Sequence, residues 1–475
     1  MSKVKLIAEN TGFLVIGNII SKVVSLFTVI LIARYLGDVG YGKYSFVFAF
    51  ISFYSIVSEL GILQILVREI SRDPETAGKM IGNAILVKTV LSVLAFIAAI
   101  FSISKMGYPE ETIKAVQIAA LVLLVDTFNT YGVIYEVNLR MKYSIFFLLI
   151  SRMLMLGLIV LIVHFDLGLN LIILATVAAS AIQNFFTFLF STRYIKVKFD
   201  IDFQVCKYLV INSLPLALSS VFTVIYYRID TIMLSMMVGD AAVGIYSAAY
   251  RISETFIFIP SILMTSLFPL MSKSFENSNE ILAFSYEKSI KYLFSLALPL
   301  AVGITMLSDK IMLTIYGDSF RGSIIALQIL IWATAIIFIN YATSSFFISI
   351  HKQKFVMLFT GVGVVINVLL NIILIPKYSY SGSSMATVLT ELSILLITFY
   401  RMPPLISIKK IIHQSYPSVA ATIIMATFLL SGVKNYLGLL IIIPSGIIYF
   451  IFYYIFKGVD PDDKNIFMKI FGKYM

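Results

Sequence analysis

Fourteen apolar runs constrain this chain more than any other feature. Each is close to the ~20 residues that a helix needs to cross the hydrocarbon core of a bilayer. They cover about 12–33, 44–66, 80–103, 115–136, 144–164, 170–190, 209–237, 244–270, 290–308, 323–349, 355–375, 383–401, 416–433 and 437–456. No soluble domain fits between them, and the longest gap, Ser272 to Ser289, is charged enough to form a surface helix. Composition agrees. The chain is 60% hydrophobic and 13% charged, against ~45–50% and ~25% for a soluble domain. The pattern predicts an all-α polytopic membrane protein with about fourteen transmembrane helices.

Charge sets the orientation. Lys and Arg in short loops stay cytoplasmic. With the N-terminus inside, twenty-three of them fall on the inner side and eight on the outer, so both termini are expected in the cytoplasm. The net charge of +11 lies in these loops, which argues against nucleic acid as a partner. The single cysteine, Cys206, excludes an intrachain disulfide. His164, His351 and His413 are scattered near helix ends and form no metal-binding spacing. The first run is too long for a cleaved signal segment and is expected to remain as a membrane helix.

An internal repeat runs through the chain. Gly37 to Phe48, GDVGYGKYSFVF, aligns without a gap on Gly239 to Tyr250, GDAAVGIYSAAY. Gly37/Gly239, Asp38/Asp240, Gly42/Gly244, Tyr44/Tyr246 and Ser45/Ser247 match. Further on, Arg140-Met-Lys-Tyr143 resembles Lys352-Gln-Lys-Phe355, and Ala175-Thr-Val177 matches Ala386-Thr-Val388. Runs 1–6 and 7–12 therefore read as two copies of one unit. Six helices is an even number, so the copies are parallel, related by an axis along the membrane normal. The expected domains are an N-lobe over 1–198, a C-lobe over 199–405, and a helix pair with a cytoplasmic tail over 406–475. Pro215, Pro260, Pro269 and Pro299 fall inside runs 7 to 9, where proline favours a kink.

Charges inside the runs carry the functional signal, because charge at bilayer depth is costly and faces a protein interior or a wet cavity. Lys22 lies mid-run 1 on a face with Asn18 and Ser25, Asp126 mid-run 4, Arg152 mid-run 5 and Glu391 mid-run 12. Glu59 and Lys88 sit in the inner halves of runs 2 and 3. In run 7, Ser219, Thr223, Tyr226 and Asp230 form one polar stripe, with Arg228 pointing elsewhere. In run 8, Arg251 and Glu254 share a face. Two readings stay open. The charges neutralise each other, for example Lys22 or Arg152 with Asp126, or they line a cavity for an anionic headgroup. Under the second, Arg228, Arg251 and Lys22 are the anion ligands, arginine being the better phosphate ligand through its planar fork. Tyr226, Tyr227 and Tyr250 would stack on sugars, and Asp230, Glu254, Asp126 and Glu391 would serve ion coupling or charge pairing. Asn367 and Asn371 suit hydrogen bonds between helices. No phosphate-cradling Gly-x-x-x-x-Gly-Lys-Ser/Thr motif, metal set or nucleophile motif is present, so an enzyme is not expected and no cofactor is implied.

Three segments resemble polysaccharide flippases of the O-antigen translocase type, within the multidrug/oligosaccharidyl-lipid/polysaccharide exporter (MATE-like) superfamily. They are Arg34–Tyr44 with Glu59–Arg72, Arg228–Glu254, and His351–Glu391. The resemblance implies two six-helix lobes forming a V around a cavity that opens alternately to each side of the cytoplasmic membrane. It also implies a polyprenyl-(pyro)phosphate-linked oligosaccharide as substrate, membrane lipids around the tail, and polysaccharide-assembly proteins as partners. Coupling to Na+ or H+ is open. Two departures stand out: the intramembrane charges balance where that family's cavity is often net cationic, and Ser379 replaces a family glycine. The alternative is a cation-coupled multidrug exporter, with Asp230 or Glu391 as the coupling carboxylate.

Overall fold

The computed structural model describes residues 3–431, 438–461 and 463, with the side chains of 3–12, 15 and 277 excepted. The expected tail beyond 463 lies outside these residues. Among the described residues the chain is helical, with no strand. Among the same residues, eleven helical segments are long and apolar enough to cross a membrane. Two of them contain a backbone break that joins two of the sequence runs: α1 (Lys3–Glu59) at Gly37, and α13 (Gln353–Tyr400) at Ser379. These findings leave the count of fourteen open. Large apolar side chains face outward, as in Phe101 at 65% exposed and Leu396 at 61%. That inversion suits a chain whose surroundings are hydrocarbon rather than water.

The chain divides into two compact units, Met1–Gly244 and Ile245–Met475. The first holds α1, α2 (Ile62–Arg72), α3 (Ala77–Lys105), α4 (Glu110–Val125), α5 (Val133–Val137), α6 (Met141–His164), α7 (Leu169–Ser191), α8 (Phe203–Met237) and the first turn of α9 (Asp240–Thr255). Run 2 ends earlier than its hydropathy suggests. Leu60 and Gly61 both take positive φ, 44° and 79°, and stop the helix. The amphipathic α2 then buries Ile62, Ile65, Leu66 and Ile70, a helical stripe, against Ile81, Ala84, Tyr135, Phe147 and Leu209. The segment before α8 straps back over α3. Lys198 N donates to Gly78 O at 3.0 Å. Asn83 donates to Asp200 O at 2.9 Å and accepts from Asp202 N at 2.8 Å, and Lys79 pairs with Asp202 at 2.6 Å. Gly78 and Gly82 make room for it, since a Cβ at either would overlap the strap's backbone.

The second unit holds the rest of α9, then α10 (Phe258–Asn277), α11 (Asn279–Ile315), α12 (Ser323–Ser349), α13, α14 (Ile408–Leu430) and α15 (Ile442–Ile455). Run 8 is two helices, α9 and α10. Pro260 falls in the first turn of α10, where its missing N–H has no helical partner to lose. It marks a helix start, whereas Pro215, Pro269 and Pro299 are interior. The expected surface helix over Ser272–Ser289 is instead the end of α10 and the beginning of α11. Ser278, in extended conformation, caps α11 by accepting from Ile281 N at 3.3 Å.

The repeat is visible in the backbone. Positive φ recurs at Gly37 and Gly239, Gly107 and Gly317, Leu139 and His351, and Gly168 and Ser379. Three of these pairs keep the register of the sequence matches, Gly107 and Gly317 fall between the early and later offsets, and each pair lies at turns between helices. The two copies therefore share turn geometry as well as residues.

Candidate functional site

The charged and aromatic residues singled out by sequence fall in both compact units. In the first unit, Lys22 is exposed on α1, and Tyr226, Arg228 and Asp230 lie on α8. Tyr226 and Tyr227 meet edge to face at 5.4 Å. Asp230 is 4% exposed. Arg228 is half-buried, and among the described residues it makes no ion pair. The polar stripe on α8 is partly self-satisfied: the Ser219 and Thr223 hydroxyls donate to the carbonyls of Pro215 and Ser219, 3.3 Å and 3.0 Å away.

In the second unit, Arg251 pairs with Glu254 at 3.5 Å, as their spacing of three predicts, and both remain about a third exposed. Tyr250 stacks on Tyr246 at 5.7 Å, and the Tyr246 hydroxyl lies 3.3 Å from Thr387 Oγ1. Glu391 is deeply buried. Asn340 Nδ2 donates to its carboxylate at 2.8 Å and to its backbone carbonyl at 3.0 Å. Asn371 Nδ2 donates to Asn367 Oδ1 at 3.1 Å within α13, so at least this contact runs along a helix rather than between helices.

Asp126 has different partners from those considered in the sequence. Its Oδ1 accepts from Ser180 Oγ at 2.9 Å and Asn184 Nδ2 at 3.1 Å, both on α7. It pairs with neither Lys22 nor Arg152 among the described residues. Run 4 is also not one helix. It is α4, a 3₁₀ stretch over Asp126–Gly132, and the short α5. A 3₁₀ stretch inside a helix marks a hinge or strain. Glu59 pairs with Lys88 at 2.9 Å; Lys88 is fully buried, while the Glu59 side chain is 34% exposed. Sequence reasoning overlooked Ser180, Asn184 and Asn340, whose uncharged side chains are common in membrane helices. Their only signal was position, Ser180 and Asn184 being one turn apart.

The two glycine turns of the repeat touch. Gly42 lies against Asp240 and Gly244, and Gly244 lies against Asp38 and Gly42. A Cβ at either glycine would overlap the carbonyl oxygen of the other turn's aspartate. Around this contact Lys43 pairs with Glu111, and Tyr108 bonds Ser235 at 2.9 Å while stacking on Phe46 at 4.6 Å.

A helical fold of many membrane-length spans is what this architecture defines. Lipid II flippase MurJ, in an inward closed conformation, superposes with a TM-score of 0.77 over 93% of this chain and 98% of its own, at 17% identity. A multidrug resistance MATE family transporter of the MOP superfamily, facing inward, gives 0.63 over 80% and 94%, also at 17%. The chain belongs to the polysaccharide biosynthesis protein family, whose model matches residues 7–275, and the MatE model matches 215–373. It is 23% identical to the probable low-salt glycan biosynthesis flippase Agl15 of Haloferax volcanii, over 91% of both chains. It is 26% identical to the probable flippase AglR of the same organism, over about a third (35%) of each.

Proposed function

We propose that this protein is a flippase that carries a polyprenyl-(pyro)phosphate-linked oligosaccharide across the cytoplasmic membrane by alternating access, for surface polysaccharide or glycan synthesis. It would act as a transporter, not an enzyme. The observation that carries this reading is the family membership together with the near full-length likeness to Agl15. Chemistry supports it. A charged sugar headgroup cannot cross hydrocarbon unaided, and Arg228 offers a half-buried guanidinium without a carboxylate partner among the described residues. In this reading Arg228, Arg251 and Lys22 hold the phosphate, Tyr226 and Tyr250 stack on sugars, and Asp230, Glu254, Asp126 and Glu391 serve coupling or pairing. The repeats would be 1–198 and 199–405, with 406–475 as an appended pair and tail. Loop charge favours both termini in the cytoplasm, and polysaccharide-assembly proteins are the natural partners.

The test is flipping of a fluorescent polyprenyl-linked oligosaccharide in proteoliposomes. A charge-assisted hydrogen bond contributes about 1.5–3 kcal/mol, so Arg228→Ala or Arg251→Ala should slow flipping about ten-fold or more. Lysine should rescue only partly, since the fork is lost. Normal flipping by both variants would remove these residues from the site. In intact cells, a cysteine at Ser278 in a Cys206-free background should resist an impermeant thiol reagent; labelling from outside would invert the orientation. The MatE match over 215–373 favours one second reading, a cation-coupled multidrug exporter. There Asp230→Asn or Glu391→Gln would abolish dye efflux, and no lipid would flip.

A further inference from the structure

We propose that Asp126 is a proton-binding site, and that its proton is exchanged during transport; this rests on the transporter reading above. Asp126 lies within electrostatic reach of Glu59 and Lys88. Lys88, fully buried, is already engaged by Glu59 at 2.9 Å. Two carboxylates and one ammonium in a membrane-embedded cluster are one positive charge short. Other ionisable groups on the elements packed against the 3₁₀ stretch do not supply it. Helix α7 has none. On α3, Lys79 is taken by Asp202, and Lys105 ends the helix over the Phe101 ring. On α4, Glu110 pairs with Lys114 and Glu111 with Lys43. The α5 residue, Glu136, is itself acidic.

Geometry selects a proton over a metal cation. A hard cation needs several oxygen ligands. Asp126 is instead met by donors, because Asn184 Nδ2 bonds both Asp126 Oδ1 at 3.1 Å and Val125 O at 3.2 Å. Those two acceptors fix the amide with its NH2 toward the carboxylate, and Ser180 adds its hydroxyl to the same oxygen. Both donors converge on Oδ1, which leaves Oδ2 to take the proton. The site also has something to move. Asn184 bridges Asp126 and the Val125 carbonyl at the junction where α4 becomes 3₁₀. Protonation turns the carboxylate into a weaker acceptor and loosens the pin between α7 and this junction. Proton occupancy is thereby linked to the helix discontinuity.

The measurement is an infrared titration of the full chain in nanodiscs, following the carbonyl band of protonated carboxyl as pH falls. The band component assigned to this site should be absent in Asp126→Asn and present in Glu59→Gln. Ser180→Ala, a milder change, should move its titration to higher pH, because a donor to the ionised form is gone. Replacing choline chloride with sodium chloride should leave it in place. An unchanged titration in Asp126→Asn, an unmoved one in Ser180→Ala, or displacement by sodium would overturn the assignment. Flipping by Asp126→Asn should lose its dependence on a pH gradient, and retained dependence would overturn the exchange step. The infrared arm needs no substrate. An intact titration in a protein that flips no lipid would uphold the proton site and refute only the flippase reading.

Discussion

At the scale of single residues, Ser379 is the most exposed to test. It holds φ 52° and ψ −133° at the break in α13. Its counterpart in the first copy is Gly168, at φ 80° and ψ −179°. A side chain in that region costs about 1–3 kcal/mol. The turn is tight as well, since Gly382 packs against the Leu374 carbonyl with no room for a Cβ. Ser379→Gly should therefore stabilise the protein by about 1 kcal/mol after glycine's own entropic cost. Thermal unfolding in detergent reads this directly, and an unchanged or lowered midpoint would mean that the serine is unstrained. The serine itself was legible in the sequence, but its backbone conformation was not. Composition gives no φ, and only the matched turn in the other copy reveals what the position requires.

At the scale of elements, the discontinuities were the hardest to read. Run 4 is interrupted by Asp126, Thr127, Asn129 and Thr130, but polar residues alone do not mark Asp126–Gly132 as 3₁₀. The pin that holds it there comes from Asn184, 58 residues away in sequence. Run 8 at least carried Pro260, although a proline inside an apolar run does not say whether it bends a helix or begins one. The glycine turns fared better, because their shared GD…G pattern pointed to an equivalent pair. Gly42 and Gly244 meet backbone to backbone, so neither can absorb a methyl by moving a flexible side chain. Overpacking of this kind costs about 1–3 kcal/mol. Gly42→Ala should force the turns apart. Cysteines at Asp38 and Asp240 should then crosslink less readily than in a Gly42 background, and equal crosslinking in both would show that the contact is not retained in the membrane.

At the scale of the whole molecule, the membrane class was legible because apolar runs recur many times, and the family because three segments carry its resemblance. Single long-range contacts do not recur, and the second unit shows one of them. After α15 the chain returns to the start of α11, where Asp460 and Asp463 meet two lysines. Lys288 lies 2.8 Å from Asp463, and Lys291 lies 2.8 Å from Asp460. Both lysine side chains are 4% exposed. Burial alone would raise the two carboxyls, but hydrogen bonds from Lys288 and Lys291 outweigh it and hold both below the usual carboxylate range. The folded value lies below the unfolded one. The stabilisation is thus complete above the ordinary aspartate value of about 3.9 and is lost as pH falls through the depressed range. Breaking a buried pair from one side costs about 3–5 kcal/mol. Asp460→Asn with Asp463→Asn should detach this segment at neutral pH, as limited proteolysis after α15 would reveal. Cleavage no faster than in the unchanged protein would deny the lock.

The two ways of dividing the chain do not coincide. On the division the sequence suggests, the second copy would begin before α8, yet α8 packs on α1, α2 and α3 and belongs to the first compact unit. On that division the first copy would not complete its own packing during synthesis. The α8-facing surface of α1–α3 would stay uncovered until the ribosome has delivered α8. A nascent chain stalled after residue 198 should accordingly be degraded faster than one stalled after Gly244, and pulse-chase of the two truncations would show it. Equal lifetimes would mean that the borrowed helix is dispensable. Two copies that began as independent units would have become, in order of manufacture, one dependent sequence.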